Sequence, residues 1–141
     1  MGKANFYILN QQHESDRQFF ACRLVEKAFN MGHFIYLHTD SENSAQQIDD
    51  LLWSFKPESF LPHAIDKVMD DDDIPIIIGY GQDYSGPMDM LINLGSSPPG
   101  FYQQFKLVSE IVLNDEADKQ LRREHWNTYK NQGFEMQRHQ L

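Results

Sequence analysis

Short apolar runs, set apart by stretches with helical rather than strand periodicity, restrict this chain to very few folds. The runs are Asn5 to Leu9 (NFYIL), Phe34 to Leu37 (FIYL), Pro75 to Ile78 (PIII), Met90 to Leu94 (MLINL) and Val108 to Leu113 (VSEIVL). A strand of this kind suits the interior of a sheet covered on both faces. Between the first two runs, Phe19, Phe20, Leu24, Ala28 and Met31 recur at helical spacing, with Ser15 as the expected cap and Gly32 as the stop. Asp40 or Ser41 caps a second helix through Trp53, a short helix is expected over Gly100 to Phe105, and a last one over Asp115 to Gly133. Strands alternating with helices predict an α/β domain with a mostly parallel five-stranded sheet and right-handed crossovers. With 141 residues, 40% of them hydrophobic, the chain suffices for one domain over residues 1–141 with a real core. No internal repeat or linker divides it.

Several chemistries find no support. No apolar run reaches the ~20 residues of a membrane span, and the start MGKANFYILN is too short for a signal peptide. The single cysteine, Cys22, lies among Phe19, Phe20 and Leu24, which predicts a buried structural thiol in a reducing, cytoplasmic setting. Gly79, Gly81 and Gly86 follow a strand, but Pro87 and a further strand come next instead of a helix N-terminus, so they shape a loop and not a dinucleotide site. Asp70 to Asp73 lacks the alternation and the glycine of a calcium loop and reads as a solvated turn. The six histidines show no zinc spacing, and no G-x-S-x-G elbow occurs. The expectation is therefore no catalytic residues, no metal and no cofactor.

The terminal stretch DEADKQLRREHWNTYKNQG is where the positive evidence lies. Asp115, Glu116 and Asp118 crowd the positive end of the helix dipole, Lys130 sits near the other end, and Gly133 is the stop. Lys119, Arg123, Trp126 and Lys130 follow i, i+4, i+7, i+11 spacing and share one stripe. Cations and an indole on a protein of net charge −9 suit one acidic partner, since general polyanion binding wants positive charge over the whole domain. The segment Trp53 to His63 (WSFKPESFLPH) carries three aromatics and two prolines, which either lid a core or face a partner; core is the ordinary reading.

With these segments in view, the chain resembles the chi subunit of bacterial DNA polymerase III along essentially its whole length. The resemblance rests on Ala4 to Leu9, on LLWSFKPESFLPH (Leu51 to His63), on Pro75 to Ile78, Leu91 to Leu94 and Glu110 to Val112, and on K-Q-L-x-R-E-x-W-x-x-Y-K-x-x-G-F (Lys119 to Phe134). It implies a Rossmann-like three-layer domain without a nucleotide site. It also implies a non-enzymatic clamp-loader subunit that pairs with the psi subunit and binds the acidic C-terminal tail of single-stranded-DNA-binding protein, with DNA reached only through the complex. Carried over by motif, tail binding falls on Lys119, Arg123, Trp126, Tyr129, Gly133 and Phe134, and psi binding on Trp53, Phe60 and Pro62. Trp126 stands at a position that also accepts tyrosine, which preserves stacking, whereas Asn127 removes a charge where lysine can stand. The competing reading is an α/β enzyme using a nucleotide or metal near Gly79 to Gly86 or Asp70 to Asp73; direct nucleic-acid binding is opposed by the acidic balance.

Overall fold

The computed structural model describes residues 2–56, 58, 60–65, 74–81 and 83–141. Along the chain run β1 (Lys3–Ile8), α1 (Glu14–Asn30), β2 (Ile35–His38), α2 (Glu42–Ser54), β3 (His63–Ile65), β4 (Ile76–Gly79) and β5 (Met90–Asn93). A single 3-10 turn (Tyr102–Gln104) precedes β6 (Leu107–Val112), α3 (Glu116–Asn131) and β7 (Glu135–Gln140). The strands form one sheet in the order β3-β4-β2-β5-β6-β1-β7, with every pairing parallel.

The five apolar runs occupy the five inner positions. Each of β2, β4 and β5 is buried at all four residues, because helices or loops cover both faces. The period of two then divides each run between two cores. Ile35, Leu37, Ile76, Ile78, Met90, Ile92 and Ile111 meet Ala21, Cys22 and Val25 of α1 and Ala45, Ile48 and Leu52 of α2. Tyr36, Ile77, Leu91, Val108, Val112, Ala4 and Phe6 point the other way, toward Phe101, Phe105, Tyr129 and Phe134.

The expected count of five strands is corrected to seven, and both additions are edges. β3 is only three residues long and follows directly on Pro62. β7 reads EMQRHQ, with no fully buried residue, so it carries no apolar run for a sequence reading to find. The first helix begins one residue before Ser15, because Asp16 reaches back to accept a hydrogen bond from the His13 N–H. Ser41 caps α2 by accepting from the Ser44 N–H, and Asp115 caps α3 by accepting from the Asp118 N–H. Gly133, at φ 89°, ends the last helix in the left-handed conformation that glycine adopts at no steric cost.

Among its described residues, the Gly79 loop connects β4 to β5 without a helix. A Cβ at Gly79 would collide with the Tyr36 hydroxyl, so this glycine makes room for a tyrosine of the neighbouring strand. Asp70 to Asp73 lie outside the described residues. Among the described residues, no helix is long and apolar enough to cross a membrane. Cys22 is wholly buried under α1, and burial pushes its thiol up to about 12. A thiol reagent at neutral pH should therefore leave the folded protein unmodified and react fully once denaturant is added; rapid labelling of the native chain would contradict this packing.

Candidate functional site

Helix α3 carries two stripes with the same i, i+4, i+7, i+11 spacing. The inward one, Asp118, Arg122, His125 and Tyr129, is buried although three of its members are polar or charged. What receives it is Glu110 of β6, which is 0% exposed. The Glu110 carboxylate accepts from Arg122 Nη1 at 2.8 Å, from the Tyr129 hydroxyl at 2.5 Å and from Asn93 Nδ2 at 2.7 Å. His125 places Nδ1 3.0 Å from the same carboxylate and Nε2 3.0 Å from the Ser96 carbonyl oxygen.

The charges continue outward from Arg122, whose Nε lies 3.4 Å from Asp118 Oδ1. Asp118 accepts from Arg17 Nη1 at 2.9 Å and from the Leu113 N–H at 2.8 Å, and Arg17 also donates to the Ile111 carbonyl and to Glu14. Burial alone would raise the Glu110 carboxyl, but the bonds and charges of His125, Arg122 and Tyr129 hold it below its ordinary value. Burial, and then the Glu110 charge, drive the Tyr129 hydroxyl well above the usual phenol range. For Arg17, burial works downward, and Glu14 and Asp118 outweigh it, leaving the guanidinium above its ordinary value.

With the inner stripe fastened, the first three members of the outer one face a groove of about 510 Å³ between α3 and the ends of β1, β6 and β7, and Lys130 is exposed outside it. Lys119, Arg123 and Trp126 line it from the helix together with an edge of Arg122, Phe6, Ile8 and Val112 form its apolar floor, and Arg138 enters from β7. Trp126 meets Phe6 edge-on, with ring centroids 5.1 Å apart. Among the described residues, no carboxylate lines the groove. Arg123 donates only to Gln120, and Arg138 only to Gln140, so neither is paired with a carboxylate among the described residues. An anion with an adjoining apolar group suits such a cleft.

A second surface lies on the other face, at the end of α2. Trp53 is 57% and Phe60 71% exposed, their rings 6.2 Å apart, with Pro62 half-buried beside them. Phe19 is also exposed and stands edge-on to Phe55. Trp53 and Phe60 are not a lid on the core; Phe55 packs partly buried against it, and Leu61 is the buried residue among the described ones of the segment.

The sequence matches the family described as DNA polymerase III chi subunit, HolC, over residues 1–137. This chain belongs to the chi family. Its relatives include proteins named DNA polymerase III subunit chi from three bacteria. That of Pseudomonas aeruginosa is 36% identical over 141 residues, covering 100% of this chain and 98% of the relative. That of Haemophilus influenzae is 30% identical over 94% of this chain and 93% of the relative, and that of Escherichia coli 28% identical over 96% of each.

Within this chi-family fold the residues expected to bind a tail separate into two groups. Lys119, Arg123 and Trp126 come together in the groove, whereas Tyr129 is 0% exposed with its hydroxyl on Glu110. Phe134 is buried against Tyr129 and Tyr102, and Gly133 is the exposed helix stop. Those three shape and hold the helix from behind; they do not line the groove. Sequence reading missed Arg138, whose only signal is the alternation of Met136, Arg138 and Gln140 along a polar strand.

Elsewhere, connections leave β2 and β5 for opposite faces, the point at which open α/β sheets accept ligands. The depression there, about 220 Å³, is lined by Glu14 and Asp40 with no cation, and Asp40 accepts from the Ser96 N–H and hydroxyl. Such a lining repels a phosphate. Among the described residues, no group of three or more His, Cys, Asp and Glu side chains could hold a metal ion.

Glu110→Gln should cost about 3–5 kcal/mol, because it strips the nearer of two counter-charges from buried Arg122. Since the folded protein holds this carboxyl below its ordinary value of 4.5, the contribution is complete above pH 4.5 and is lost as pH falls through the folded value. Thermal melts of both proteins should differ most near neutral pH and converge in acid; a constant difference across that range would refute the assignment.

Proposed function

We propose that this chain is a non-catalytic accessory subunit of the DNA polymerase III clamp-loader assembly, and that the α3 groove holds the acidic C-terminal tail of single-stranded-DNA-binding protein. The observation that carries this reading is the groove itself: Lys119, Arg123 and Arg138 around an apolar floor, with no carboxylate lining it among the described residues, on a protein of net charge −9. A peptide end offering aspartates, an apolar side chain and a free carboxylate matches each part. Arg123 takes the terminal carboxylate through its planar fork, the floor between Phe6 and Trp126 takes the last side chain, and Lys119 supplies diffuse positive charge. In this reading the chain tethers the polymerase to coated template and meets DNA only through its partners.

Pairing with the psi subunit is assigned to Trp53, Phe60 and Pro62. It is supported by the exposure of two large adjacent aromatics, the composition that central positions of interfaces favour. The two surfaces are carried by different elements on opposite faces, so they should act independently.

Calorimetry with a short acidic peptide ending in Phe tests the first assignment. Arg123→Ala should weaken binding ten-fold or more, since a charge-assisted bond contributes about 1.5–3 kcal/mol; wild-type affinity in the variant would remove Arg123 from the site. Raising salt should weaken binding moderately, because exposed aspartates are screened over about 8 Å at physiological ionic strength while the floor is sheltered. An affinity indifferent to salt would contradict the electrostatic part.

Phe60→Ala tests the second surface. It should release psi, at a cost of about 2 kcal/mol or more, while the melting temperature and tail binding stay unchanged. A well-folded variant that retains psi would refute the interface.

A further inference from the structure

Three arginines line the groove: Arg122 is buried against Glu110 and Asp118, and the two left to meet a ligand come from different elements. Arg123 projects from α3, and Arg138 from β7. Register places Arg138 directly beside Phe6 and Gln140 beside Ile8, so the polar row of β7 runs along the apolar floor of β1. Neighbouring strands lie about 4.8 Å apart, close enough for one ligand residue to touch both rows. Arg138 is exposed, donates only to Gln140, and has no carboxylate partner among the described residues.

We propose that Arg138 is a specificity residue that reads an acidic side chain of the docked peptide, leaving Arg123 to the chain terminus. This deepens the tail-binding reading and rests on it. A site built this way reads two carboxylates across an apolar floor. It accepts peptides whose acidic residues lie just ahead of an apolar C-terminus and discriminates against those with only the terminal carboxylate. The plainer account of Arg138 is a charge that merely decorates an edge strand, and the two accounts differ in a measurable way.

The test is a matrix of affinities. The proteins are wild type, Arg138→Gln, Arg138→Lys and Arg123→Gln. The probes are a short peptide with aspartates ahead of a C-terminal Phe, the same peptide amidated at its C-terminus, and the same peptide with asparagines for aspartates. Arg138→Gln should weaken the acidic peptide about five-fold or more and the amidated peptide by the same factor. It should leave the asparagine peptide within about two-fold of wild type, because the interaction lost is then already absent. Arg123→Gln should show the converse pattern, and Arg138→Lys, which keeps the charge but not the fork, should fall between wild type and Arg138→Gln. Affinity for the acidic peptide unchanged in Arg138→Gln, or a loss that disappears on amidation but survives asparagine, overturns this assignment alone. Failure of the wild-type protein to bind the acidic peptide overturns the assignment and the underlying reading together.

Discussion

The buried carboxylate of Glu110 is what seats the C-terminal helix. A lone carboxylate in the interior is several kcal/mol unfavourable, so it persists only where partners surround it. Here Arg122, His125, Tyr129 and Asn93 surround it. The sequence of charges then passes through Asp118 to Arg17, which belongs to the helix on the opposite face of the sheet. Arg17 and Asp118 meet beyond the end of β6, where they also take up the Ile111 carbonyl and the Leu113 N–H. Two layers that would otherwise touch only through the sheet are joined directly. An apolar stripe allows a helix to slide and rotate by small amounts at little cost; directional bonds to one buried acid do not. The outer stripe thus holds its geometry before any ligand arrives, which lowers the ordering cost of binding.

Sequence patterns revealed the strands that are apolar and concealed those that are not. The five inner strands announce themselves because both faces are covered, and Gly133 and Asp115 mark the last helix through chemistry confined to its ends. β7 is paired on one side only and is lined with polar side chains, so its strand character comes from β1 and from no feature of its own. The helix stripe shows the same asymmetry. Lys119, Arg123 and Trp126 were legible as an outer surface. Asp118, Arg122 and His125 have the same spacing, and buried charges cannot be told from exposed ones without knowing that Glu110 waits beneath. Tyr129 and Phe134, expected at the tail-binding surface, are buried behind the helix. An aromatic at the end of a cationic helix can face a ligand or the core, and the core took both.

The two candidate surfaces lie at opposite limits of the molecule. One involves β7 and the helix on its face; the other adjoins β3 and the helices on the reverse face. Six inter-strand steps separate the edge strands, roughly 29 Å at the usual spacing. No side chain belongs to both, and the buried charge network stands on the side of the groove. A partner at one surface therefore leaves the other open, the arrangement a connector requires.

The rims of the sheet have a further consequence, for solubility. A parallel sheet ends on each side in a row of unpaired backbone groups that could recruit a strand from another copy. On one rim β3 offers only three residues, too few for a durable ladder. On the other, β7 is six residues long but presents Glu135, Arg138 and His139 where an aggregating strand would present apolar side chains. The polarity that hid this strand from sequence analysis also makes it a poor template for self-association.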